Sequence, residues 1–156
     1  MKKDDEFFMN LAILEAKKAK KIDEVPVGCV IVKDGEVISR GHNLQITNNN
    51  PTAHAEIIAL QKAGEKLQNH RLIETSLYVT LEPCAMCFGA IIHARISKVI
   101  FATKDFKTGA CGSCLDLANS TCFNHKVTIV SGILKIEAKE LLQKFFKQKR
   151  LYKRNI

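Results

Sequence analysis

No stretch of the chain approaches the roughly 18 consecutive apolar residues of a membrane span. No secretory leader opens it either: MKKDDEFFMN mixes acids with lysines and lacks an apolar centre. Internal repeats, linkers and low-complexity tracts are missing as well. The expectation is therefore one domain over residues 1-156, untargeted, cytoplasmic and without a membrane. With 46% hydrophobic and 26% charged residues, its 156 residues can bury a core without disulfide staples. Acids are lacking in one place in particular: Lys144 to Arg154 holds four lysines and two arginines and no Asp or Glu. The chain as a whole carries a net charge of +8, and its basic excess is gathered in that stretch. A basic cluster on one element is the electrostatic footprint of a nucleic-acid binder, with a solvated helix end as the plainer alternative.

What the chain does have is cysteine, six in all, including Cys84-x-x-Cys87 and Cys111-x-x-Cys114. With nothing to mark secretion, such pairs point to metal or thiol chemistry rather than to disulfides.

The apolar spacing predicts an order of elements. Phe8, Leu11, Ala12, Ala16 and Ala19 recur at helical intervals over residues 6 to 20. VGCVIV and VISRGHN, joined through Asp34-Gly35, read as a hairpin. Thr52 is positioned to cap a helix from about Ala53 to Lys66, with Ile57, Leu60, Ala63 and Leu67 on one face. LYVT (77 to 80), KVIFAT and KVTIV read as strands, and PCAMCFGAIIHAR as a helix apolar nearly all round. A last, basic helix is expected over about 137-154. Strands alternating with helices imply an α/β layered fold with helices on both faces of the sheet.

His54-Ala55-Glu56 and Pro83-Cys84-Ala85-Met86-Cys87 each open a predicted helix. One imidazole and two thiolates give zinc three protein ligands, the set of a catalytic site that keeps its fourth position open. Cys84 and Cys87 on a first helical turn face free N-H groups and the positive end of the dipole, which favours thiolate. Glu56, two residues from His54, is the candidate proton carrier. In this order the two motifs match the zinc nucleobase deaminase signature H-x-E…P-C-x-x-C. A closed four-cysteine zinc site is the competing arrangement. Its pairs stand 23 residues apart, beyond the usual 15 to 20, and it leaves His54 and Glu56 without a role.

VPVG (25 to 28), PTAHAEIIAL (51 to 60), RLIETSLYVTLEPCAMC (71 to 87), GAIIHARI (89 to 96), KTGACGS (107 to 113) and Asn124-His125 resemble the bacterial tRNA-specific adenosine deaminases. These belong to the cytidine deaminase-like superfamily, and the likeness runs over nearly the whole chain. The resemblance implies a three-layer α/β/α sandwich with a mixed central sheet. It implies one zinc per chain on His54, Cys84 and Cys87, with hydroxide attack at C6 of the wobble adenosine of an arginine tRNA (ACG) and Glu56 as proton shuttle. By the same resemblance Asn43 contacts the flipped nucleotide, the Ala55 N-H contacts the base or hydroxide, and Asp105 lies near the ribose. Lys107 and Arg150 join the substrate-binding set. The implied partners are a tRNA anticodon stem-loop and a second copy of the chain, packed through the apolar helix 84 to 96. The chain departs from the family pattern at Cys29, Phe88 and Cys114. Two other functions compete: zinc-dependent deamination of a free base or nucleotide (guanine, cytosine or deoxycytidylate), and non-catalytic RNA binding with a structural zinc.

Overall fold

Asp34 and Gly35 both take positive φ, 51° and 74°, the conformation that a two-residue turn matched to strand twist requires. This turn joins β1 (Gly28–Lys33) to β2 (Glu36–His42). The computed structural model describes residues 4–154. α1 (Asp5–Lys21) precedes the hairpin, and α2 (Ala55–Leu67), β3 (Thr75–Leu81), α3 (Ala85–His93), β4 (Lys98–Thr103), β5 (Thr128–Ser131) and α4 (Lys135–Arg154) follow it. Asp4 caps α1 by accepting the Phe7 N-H at 2.9 Å, and acids at the start with lysines at the end match the helix dipole.

The five strands form one mixed sheet in the order β2-β1-β3-β4-β5. β1 runs antiparallel to β2 and β3, while β3, β4 and β5 are parallel. Strand residues alternate between two cores. Val30, Tyr78 and Ile100 pack against Phe8, Met9 and Ile13 of α1 and Ala138 of α4. Ile31, Leu77, Val79 and Val99 pack against Ala55, Ala59 and Ala63 of α2 and Ile91 of α3. The result is the expected α/β/α sandwich, its inner strands apolar on both sides because helices cover both faces.

Two glycines set how closely the helices approach. A Cβ at Gly28 would lie 2.0 Å from the Ala12 carbonyl oxygen of α1, and one at Gly41 would lie 2.5 Å from the Ala55 oxygen of α2. Helix backbone therefore rests directly on strand backbone at both places.

Several expectations are corrected. α2 starts at Ala55, not Ala53, and Thr52 does not cap it: its N-H and hydroxyl both bond Asn50 Oδ1, closing a local turn instead. Its fully buried face is Ala55, Ala59 and Ala63; Leu60 and Leu67 pack against the same core as expected, while Ile57 is only half-buried. α4 begins two residues earlier than expected, at Lys135. α3 is buried along Cys87, Phe88, Ile91 and Ile92 but exposes Ala85, Met86 and His93. Phe145 is buried and Phe146 is exposed, so only the first continues the core. Cys122 is exposed. His42 is half-buried with Nδ1 3.2 Å from Glu15 Oε2. Among the described residues no helix is long and apolar enough to cross a membrane.

Candidate active site

Because β2, β3 and β4 point the same way, the segments leaving their C-terminal ends gather at one edge of the sheet. The open end of a parallel array is where α/β folds place ligands. A cleft of about 120 Å³ lies there. Asn43, after β2, lines it, as do His54 and Glu56 at the start of α2, Glu82 and Cys84 after β3, and Asp105 after β4.

His54 and Cys84 are the N-cap residues of α2 and α3, both with extended backbone and neither making a side-chain cap bond. Their side chains are thus directed away from their helices and toward one another. Cys84 Sγ lies 3.6 Å and Cys87 Sγ 3.5 Å from His54 Nδ1. Zinc bonds of about 2.3 Å to sulfur and 2.0 Å to nitrogen, at tetrahedral angles, put those atoms about 3.5 Å apart. The three donors therefore fit three corners of a zinc tetrahedron. They form the only such His/Cys/acid group found among the described residues.

The protonation pattern suits a cation. The Cys87 thiol and His54 both hydrogen-bond to Cys84, which overcomes burial and lowers Cys84 to about 4. Cys87 is held well up as the donor to Cys84, with burial and the Glu56 charge adding to this. His54 is raised, chiefly by its bond to Cys84. A metal arriving here meets one thiolate already formed and displaces a proton from its partner. Glu56 is almost fully buried, and burial raises its carboxyl to about 7 even though a backbone hydrogen bond and His54 pull it down. A carboxyl near neutrality in a cleft can both accept and give a proton.

The predicted substrate-binding residues divide. Asn43 and Asp105 line the cleft with the metal set. Ala55 is fully buried, and its N-H donates to Asn43 Oδ1 at 2.8 Å, so a substrate that uses this amide has to displace Asn43. Lys107 is exposed on the Asp105 loop, with its N-H on Asp105 Oδ1. Arg150 is exposed on α4, outside the cleft lining. The neighbouring Lys149 pairs with Asp23, two residues before the cleft residue Val25.

Cys111 is half-buried, with burial raising it to about 12, and Cys114 is exposed. Neither joins the metal group. Phe88 faces inward, its ring 5.9 Å from that of Phe123, beneath the 110–123 segment and away from the exposed face of α3.

Sequence reasoning missed two buried carboxylates that hold the cleft walls. Glu24 accepts the Ile46 and Thr47 N-H groups at 3.1 and 2.7 Å and the Thr47 hydroxyl at 2.7 Å. Glu82 performs a similar service for the opposite wall. An acid inside the apolar contexts DEVPV and TLEPC was the available signal, since a buried acid needs donors.

Residues 2–103 match the cytidine and deoxycytidylate deaminase zinc-binding region. The tRNA-specific adenosine deaminase of Haemophilus influenzae is 46% identical over 147 residues, covering 94% of this chain and 85% of the relative. That of Bacillus subtilis is 44% identical over 150 residues, covering 96% and 93%. A solved structure from work on A-to-I editing by tRNA:A34 deaminases at the wobble position of transfer RNA superimposes with a TM-score of 0.84 at 43% identity, covering 86% of this chain and 98% of the other.

Proposed function

The chain belongs to the cytidine and deoxycytidylate deaminase zinc-binding family, and on that premise we propose that it converts the wobble adenosine of a tRNA anticodon to inosine. The expected substrate is arginine tRNA with the anticodon ACG. The observation that carries this reading is the convergence of His54, Cys84, Cys87 and Glu56 on one cleft, in a chain so similar to tRNA-specific adenosine deaminases.

His54, Cys84 and Cys87 would hold the zinc, which when bound would supply an activated water by lowering its pKa to about 7. Glu56, buried in the same cleft, would accept a proton from the attacking water and deliver it to the adenine ring nitrogen. Glu56 then moves the hydroxyl proton to the amine; the C6-N bond breaks, ammonia leaves and a carbonyl remains. The cleft is small, so the target base enters alone and out of its stack, which an anticodon loop allows at little unpairing cost. Asn43 and Asp105 hold the nucleotide from opposite walls. Lys107 and the basic end of α4, Arg150 included, meet backbone phosphates, which position RNA without reading its sequence.

The whole chain acts as one deaminase domain, in the cytoplasm, as a homodimer. The exposed apolar strip of α3, with Ala85 and Met86, is the surface that a second copy covers.

Zinc-loaded protein is to be incubated separately with an ACG anticodon stem-loop and with free adenosine, cytidine and guanine. Inosine in the stem-loop alone is the expected result. Deamination of a free base with an untouched stem-loop overturns the tRNA reading in favour of a nucleobase deaminase, and no product from any of them favours a non-catalytic RNA binder.

A further inference from the structure

Glu82 follows the last residue of β3 and is 3% exposed. It is neither a metal-set residue nor the proton carrier, yet its carboxylate is saturated with donors from a single segment. Oε1 accepts the Asp105 N-H at 3.1 Å and the Ser113 hydroxyl; Oε2 accepts the N-H groups of Cys111 at 2.9 Å and Ser113 at 3.2 Å. A carboxylate offers about four lone-pair positions, and here four donors occupy them.

The segment is drawn tightly around this group. A Cβ at Gly109 would lie 2.5 Å from Glu82 Cδ and 2.6 Å from Oε2, so no other residue fits there without displacing the carboxylate. The same segment forms one wall of the cleft. Asp105 and Thr108 line it, and Asp105 in turn accepts the N-H groups of Lys107 and Thr108 at 3.0 and 3.2 Å and the Thr108 hydroxyl at 2.8 Å. The order of dependence runs from Glu82 to the backbone of Asp105, and from the Asp105 side chain to Lys107 and Thr108.

We propose that Glu82 is the positioning residue for substrate: its carboxylate fixes the 105–113 wall at the distance from the metal ligands at which the RNA nucleotide is gripped. The proposal rests on the reading of this cleft as an RNA nucleotide site. Four bonds to one anion make the wall stiff, because hydrogen bonds to a charged acceptor are roughly twice as strong as neutral ones. A wall held this way engages the nucleotide without first having to be ordered.

Glu82→Gln tests it. The amide keeps the size but turns an NH2 toward N-H donors that already point at that position, so one side of the wall loses its anchor. On folded, zinc-loaded protein, KM for the ACG stem-loop rises about tenfold, the size of losing one hydrogen bond to a charged group, while kcat stays within about threefold. Zinc content stays at one per chain. Amide exchange at Cys111 and Ser113 speeds up while that of Leu77 and Val79 in β3 does not. Ser113→Ala removes a single donor from a partly exposed loop and shifts the same readouts in the same direction by less; it carries the test should Glu82→Gln not fold. An unchanged KM, or unchanged exchange at Cys111 and Ser113, overturns the proposal. Failure of the parent protein to convert the stem-loop overturns the tRNA reading instead, and the exchange measurement still decides the role of Glu82.

Discussion

Replacing Gly41 by alanine adds one methyl group, yet it reaches both the fold and the chemistry. The new Cβ would stand 2.5 Å from the Ala55 carbonyl oxygen, 2.8 Å from the Ala59 nitrogen and 3.1 Å from Ile58 Cβ. Two of these neighbours are helix backbone and cannot rotate away. Restoring ordinary contact moves the first turn of α2 off the sheet by about 0.9 Å, and overpacking of this kind costs about 1–3 kcal/mol. That turn carries Glu56 and follows His54, whereas Cys84 and Cys87 belong to α3 and stay in place. The metal set is therefore split between a displaced half and a fixed half. A misplacement near 1 Å can lower turnover by about a hundredfold. Urea unfolding of the metal-free protein, a zinc competition titration and single-turnover deamination would follow the three effects. Gly64→Ala, in the same helix with its nearest neighbour at 3.3 Å, is the control and should stay within about 1 kcal/mol of the parent. A Gly41→Ala protein that is destabilised, yet binds zinc and turns over normally once folded, would refute the claim that this contact positions the site.

Three further outcomes follow from the structure. His54→Ala, Cys84→Ala and Cys87→Ala each lose bound zinc on metal analysis, while the double change Cys111→Ala with Cys114→Leu keeps one zinc per chain; loss of metal from the double variant would revive the four-cysteine site. Neutralising Lys147, Arg150 and Lys153 together to glutamine weakens stem-loop binding and flattens its dependence on salt, and an unchanged salt slope would return those charges to solvent. Truncation after Gln143 is the poorer test, since it also removes the buried Phe145. Burial pushes the Glu15 carboxyl up, but the hydrogen bonds from Lys18 and His42 more than offset this and leave it below its ordinary 4.5. A lowered acid adds stability above its unfolded value that is lost as pH falls through the folded one. The stability gap between the parent and Glu15→Gln should therefore be full at pH 7 and shrink below about pH 4.5; a gap constant with pH would remove the charge from the explanation.

What could be read from the sequence was what is local. Asp34-Gly35 declares its turn because so few residues accept two successive positive φ values. HAE and PCAMC declare the metal set because each opens a helix and a few residues suffice to state the chemistry. The α1 stripe is legible through spacing alone. The features that escaped are those in which one residue answers to another far along the chain. On α2 the fully buried face is Ala55, Ala59 and Ala63, where Gly41 lets strand and helix backbone meet, while Ile57 is only half-buried. Thr52 is the one local exception: Asn50, two residues before it, claims the hydroxyl that would have capped the helix. Glu24 and Glu82 look like ordinary acids, and their donors come from 22 to 31 residues away. No periodicity announces such pairings. A helical stripe also marks only an apolar direction, so Phe146 was legible as helical without being legible as exposed.

The most direct test of the account is inosine itself. A zinc-loaded ACG stem-loop reaction, digested and mapped nucleoside by nucleoside, should show inosine at the wobble position only, with one ammonia released per inosine, and Glu56→Ala should hold its zinc and form none. Inosine produced by Glu56→Ala at the parent rate, or deamination at a cytidine in place of the wobble adenosine, would contradict it.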